Sequence, residues 1–182
     1  MKYLAATLAL VLAGCAANPE TVNSVAANEV AQMRQTTRPL STFAGYELRP
    51  MVISDAVQRD DAKVAQANVL EQKLQEQILP LLQQWKTSPA ADRSGTLVIE
   101  PQLASLRIVS GGARFFAGAW AGTSTIDLYL RLSDEDTSVV IARSRIDLQS
   151  NAIAGGWSIG ATDRNLLEYI AATAKRYLEH NY

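Results

Sequence analysis

Thr125-Ile126-Asp127-Leu128-Tyr129-Leu130-Arg131-Leu132 alternates apolar and polar side chains without a slip. Successive side chains of a strand point to opposite faces, so this stretch reads as a strand with one buried and one wet face. Val139 to Gln149 repeats the pattern, with Val140, Ala142, Ile146 and Leu148 expected inward and Arg143, Arg145 and Asp147 outward. Asp134-Glu135-Asp136 lies between the two runs as a polar turn and makes them a hairpin. A hairpin with a single apolar face needs a layer to cover that face, and the flanking sequence supplies helices.

On one side, Asp60 and Asp61 precede Val64, Ala67, Leu70, Leu74, Ile78, Leu81 and Trp85, which recur at three- and four-residue steps. That spacing predicts an amphipathic helix with acids at its positive end, kinked or ended near Leu79 by Pro80. On the other side, Thr162 or Asp163 caps a helix with an apolar stripe of Leu166, Leu167, Ile170, Ala174, Tyr177 and Leu178. Leu97 to Val109 reads as a strand bent or bulged at Pro101, and Glu47 to Ile53 as a first strand interrupted by Pro50. The expected fold class is α+β: a two-layer sandwich, with a mainly antiparallel sheet of about four strands and two helices packed on one face.

The chain has 182 residues, 48% hydrophobic and 19% charged, with a formal net charge of −1. One domain fits that composition, and the balanced charge offers no field to attract nucleic acid. The single cysteine, Cys15, rules out an internal disulfide. Its surroundings explain it. Met1-Lys2 gives a positive start, and Tyr3 to Leu12 is an uncharged apolar run too short to span a bilayer. Leu12-Ala13-Gly14-Cys15 then matches the lipobox read by lipoprotein signal peptidase. The resemblance implies cleavage before Cys15 and acyl chains on it, and two or more chains anchor firmly. Ala16, where inner-membrane retention commonly uses aspartate, implies the outer membrane, with the protein on its periplasmic face. The expected organisation is a signal peptide over 1–14, a lipidated cysteine and tether over 15–40, and one periplasmic domain over 41–182. Within the tether, Asn18-Pro19-Glu20 is a helix start, and Val22, Val25, Val30 and Met33 fall loosely on one face.

Little in the sequence points to catalysis. His180 is the sole histidine and sits at the end of the last helix, where a helix C-terminus accounts for it. The cysteine is consumed by lipid, and the chain lacks the nitrogen and sulfur ligands of a zinc site. The acidic turn lacks the spaced ligands and distal glutamate of a calcium loop. The expectation is a protein that is not an enzyme, with no metal and no cofactor beyond the covalent lipid. The charges of the hairpin's wet face read as cross-strand pairing.

Two segments stand apart. Gly111 to Gly122 is glycine-rich yet carries Arg114, Phe115, Phe116 and Trp120, and Ala154 to Gly160 repeats the chemistry around Trp157. The first runs into the start of the Thr125 strand and the second leaves the Gln149 strand, so the hairpin brings both to one pole. Three roles fit such aromatics: capping the core, forming an exposed patch for a partner, or meeting membrane, lipid or glycan. Arg114, Phe115, Phe116, Trp120 and Trp157 are therefore the candidate partner-binding residues.

With Gly111-Gly112-Ala113-Arg114, the Thr125 to Leu132 strand and the Asp134 turn in view, the chain resembles an uncharacterised domain-of-unknown-function family of small Gram-negative envelope lipoproteins, over Phe43 to Tyr182. At fold level it also resembles auxiliary lipoproteins of envelope transport systems. The resemblance assigns no activity and carries over no catalytic residue. The expected function is a non-catalytic protein-interaction or assembly module, anchored to the outer membrane and contacting an envelope protein. The alternative is a small-ligand carrier for lipid or glycan, which would need a concave apolar cavity.

Overall fold

The computed structural model describes residues 19–88, 92–108, 124–149 and 162–182. Within them the chain is α+β, a five-stranded mixed sheet with four α-helices. The helices are α1 (Pro19–Val30), α2 (Asp55–Gln58), α3 (Asp61–Thr87) and α4 (Thr162–His180). The strands are β1 (Gly45–Leu48), β2 (Val52–Ile53), β3 (Thr96–Arg107), β4 (Thr125–Asp134) and β5 (Val140–Gln149).

Strands β3, β4 and β5 form an antiparallel meander, with β4 in the middle and Thr125 opposite Gln149. Ile126, Leu128, Leu130 and Leu132 are all fully buried beneath the helices. Burying each contributes about 1.5–3 kcal/mol relative to leaving it in water. α3 packs over β1 and β3, and α4 over β4 and β5. The apolar stripes expected of both helices lie in the core, from Ala67 to Trp85 on one and from Leu166 to Leu178 on the other. Asp60 caps α3 by accepting from the backbone N–H groups of Ala62 and Lys63.

The structure corrects several sequence expectations. The first strand is two short ones, β1 and β2, and both run parallel to β3. The sheet is therefore mixed and has five strands. The two prolines explain each other. Ile99 and Leu103 turn their carbonyls toward this edge, accepting from Arg49 and Ser54. Pro101, midway between them, presents its missing N–H to the break around Pro50, so no ladder bond is lost. The irregularity in β3 falls instead between Leu103 and Ser105. Pro80 does not end α3, which continues to Thr87. Pro80 and Glu76 are both exposed, so the proline and the residue whose carbonyl it cannot pair lie on the outer face of the helix. A register shift between Leu132 and Ser133 turns β5 at its start: Val140 is 47% exposed, and Ile141, at 5%, takes the buried place.

Residues 19–40 belong to the folded body: α1 packs along α4, and Val22, Ala26, Val30 and Leu40 are buried. Two helices on the sheet thus become a layer extended by α1 and by the short α2. A polar relay locks this entry segment in place. Ser144 Oγ donates to Tyr177 OH at 2.7 Å, and Tyr177 OH donates to the Arg34 carbonyl at 2.9 Å. Asn181 Oδ1 accepts from Thr36 N at 2.9 Å, Leu40 N donates to the Asn181 carbonyl, and Thr37 bonds the Ile141 carbonyl. Beyond this lock, Trp85 packs between Tyr46 and Tyr182, its ring stacked on Tyr182 at 4.2 Å. Tyr46 OH donates to the Leu40 carbonyl, and burial, followed by Tyr182 nearby, pushes its pKa up to about 12.

Replacing Tyr177 with Phe strands a buried serine hydroxyl and a backbone carbonyl. Urea denaturation should show a loss of about 1–3 kcal/mol. The phenol of Tyr46 releases its proton near pH 10 in the unfolded chain and near 12 in the folded one. Its contribution is therefore complete below pH 10 and lost as pH rises toward 12. Denaturation at pH 9 and pH 11.5 should show a smaller alkaline loss in Tyr46→Phe than in the wild type.

Candidate functional site

At one end of the sheet the register places Arg107 opposite Thr125 and Thr125 opposite Gln149. The two glycine- and aromatic-bearing segments adjoin this pole, the first lying between Ile108 and Ser124 and the second following Gln149. The candidate residues themselves, Arg114, Phe115, Phe116, Trp120 and Trp157, lie outside the described residues, as does Cys15. What the structure fixes is where their segments attach, and α1 approaches that same place. Thr37 bonds Ile141, Arg34 reaches Ser144 through Tyr177, and α1 packs along α4. Stepping back along the chain from Thr37 to Arg34 therefore steps forward along β5 from Ile141 to Ser144. Followed to its N-terminus, α1 points at the pole where β5 ends.

The groove between α1 and β5 is an open cleft of about 300 Å³. Met33 is its one apolar wall, and Glu29, Arg34, Arg143, Arg145 and Asp147 are among the others. Sequence reasoning missed the α1 side because it placed those residues in a tether. The signal was present: Val22, Ala26 and Val30 stand four residues apart, the spacing of one helix face.

The sheet face away from the helices is ruled by charge. Asp127 and Asp147 are direct cross-strand neighbours, an arrangement that repels. Arg145 offsets it by gripping both carboxylates, with Nε 2.7 Å and Nη2 3.2 Å from Asp127 and Nη2 3.2 Å from Asp147. Arg131 and Arg143 form a second like-charged pair. Arg143 leans away from Arg131 over the Tyr129 ring, 4.8 Å from its centroid, and donates to Gln102 Oε1 at 3.3 Å. The cross-strand pairing read from the sequence is thus present between Asp127 and Arg145, and Asp147 joins it from along β5.

The acidic turn is self-contained. Asp134 Oδ1 accepts from the N–H groups of Asp136 and Thr137, and its other oxygen pairs with Arg38 at 3.2 Å. Gly95, at φ +73°, packs beneath it where a Cβ would stand 3.3 Å from the Asp136 carboxylate. A carboxylate committed to its own turn and to an arginine has little left for a cation. Among the described residues no group of three or more histidine, cysteine, aspartate or glutamate side chains is placed to hold a metal ion. His180 is exposed at the C-terminal end of α4.

No family model matches the chain, so the family resemblance rests on the quoted motifs alone. No curated protein matches it either. Solved structures do. The PelC dodecamer from Paraburkholderia phytofirmans is similar at 11% identity and a TM-score of 0.42, over 81% of this chain and 96% of that one. A single-residue variant of the same PelC gives 12% and 0.40, over 79% and 96%. A protein from Caulobacter crescentus CB15, provisionally assigned as a lipoprotein, gives 15% and 0.34, over 77% and 88%.

Removing the clamp tests the electrostatics of the open face. Arg145→Ala leaves Asp127 and Asp147 opposed, so the urea midpoint should fall at low salt. Raising sodium chloride to about 1 M, where screening acts within roughly 3 Å, should close most of the gap to the wild type.

Proposed function

We propose that the chain is an envelope lipoprotein, acylated at Cys15 and held on the periplasmic face of the outer membrane. In this reading its folded body works by contact with another envelope protein and not by catalysis. The shortness of the link supports it. α1 begins at Pro19, four residues after Cys15, and is built into the core. Four residues reach at most about 14 Å. A body held so close works at the membrane surface, against neighbours that are themselves in or on the membrane. The contact residues of this reading are Arg114, Phe115, Phe116, Trp120 and Trp157, whose segments attach at the pole toward which α1 points.

Cys15→Ser should move most of the protein from the membrane fraction to the soluble periplasm, because no helix among the described residues is long and apolar enough to span a bilayer. Photo-crosslinking from positions 116 and 120 in intact cells should recover one envelope protein. A membrane fraction unchanged by the substitution would overturn the anchor, and recovery of lipid alone would overturn the contact role.

A further inference from the structure

The fold has two ends that differ in chemistry, and the anchor belongs to one of them. We infer that the pole at which β4 begins and β5 ends rests on the lipid bilayer, so that the sheet stands upright on the membrane. This orientation rests on acylation at Cys15.

Two features of the chain set the direction. Thr37 bonds Ile141 and Arg34 reaches Ser144 through Tyr177, so the entry segment runs beside β5 in the direction of its end, and α1 beyond it packs along α4. From Glu29 back to Pro19 the helix runs on for ten more residues, about 15 Å at 1.5 Å each. α1 therefore opens on the side of the pole. The about 14 Å of chain from Pro19 to Cys15 cannot carry an acyl anchor back up the body to the opposite end. α4 has the same heading. Tyr177 meets Ser144 at mid-strand, and α4 begins fifteen residues earlier, about 22 Å toward the same pole.

The distribution of charge agrees with this direction. β4 spans nine residue steps from Thr125 to Asp134, about 30 Å. The hairpin turn at its far end carries Asp134, Glu135 and Asp136 in succession. Upright, the fold holds those acids beyond the reach of anionic headgroups, whose field fades within a Debye length of about 8–10 Å. At the near end, Arg145 is shared between Asp127 and Asp147 and Arg107 closes β3, while at the turn Arg38 pairs with Asp134 and Arg49 with Glu135, so that Asp136 is the acid in excess over these pairs. A bilayer of anionic and zwitterionic phospholipid is the surface that this polarity fits.

The test uses the full-length acylated protein in vesicles of phosphatidylethanolamine and phosphatidylglycerol. Acylation blocks the sulfur of Cys15, so an introduced cysteine is the sole free thiol. Arg107→Cys and Asp147→Cys place an environment-sensitive fluorophore near the proposed contact, and Thr137→Cys and Ser138→Cys place it at the far turn. With quencher-bearing lipids, labels at 107 and 147 should be quenched several-fold more than those at 137 and 138. The far labels should match the protein in detergent without quencher. Equal quenching at both ends, or stronger quenching at the turn, overturns the orientation while leaving the anchor intact. Failure of the labelled proteins to float with vesicles overturns the anchored reading, and the orientation with it.

Discussion

The hydroxyl of Tyr177 stands between the edge strand of the sheet and the chain that enters the fold. It accepts from Ser144 and donates to the Arg34 carbonyl, so one buried oxygen joins β5, α4 and the segment after α1. Phenol and serine can both be buried there because each finds its partner. Asn181 repeats the device four residues on, accepting from Thr36 and donating to the Tyr177 carbonyl. Together they hold residues 34–40 against the sheet and fix the direction from which α1 arrives. Loosened, that segment would leave the body at no fixed angle. Locked, it gives the molecule a defined base and a defined far end.

The parts of the fold legible in the sequence are those whose physics is local. β4 and β5 announce themselves by period two, α3 and α4 by their apolar stripes, and the turn by three successive acids. The parallel setting of β1 and β2 was not legible, because a strand's partner and direction are not encoded in its own residues. Pro80 misled because a proline is tolerated where the carbonyl it orphans faces water, and exposure is a tertiary property. Val140 misled for a related reason: one bulge exchanged the faces of two neighbouring residues. α1 was half seen. Its valines and alanine bury little area, so the helix is stable only against α4, and nothing within residues 19–30 reveals that neighbour.

For the candidate site, the hairpin argument placed both glycine-bearing segments at one end of the sheet, and the pairing of Thr125 with Gln149 puts their points of attachment there. The approach of α1 to that end was out of reach of pattern reading, since it depends on contacts a hundred residues apart in the chain. The charged face illustrates a further limit. Its residue types suggested complementary neighbours, whereas the register sets aspartate against aspartate and arginine against arginine. The diagonal grip of Arg145 and the stacking of Arg143 on Tyr129 turn that unfavourable register into a stable one.

The matched prolines of β1–β2 and β3 bear on how such molecules share a crowded surface. A sheet edge that is long and unbroken is a template on which a second chain can add strand upon strand. Here one margin is split at Pro50 into pieces of four and two residues, and Thr37 covers the opposite margin at Ile141. Neither border offers an uninterrupted row of free amides over its whole length. The two rings thus guard against fibrous self-assembly at no cost in hydrogen bonding, and substituting either alone would restore a donor to a margin shaped to do without it.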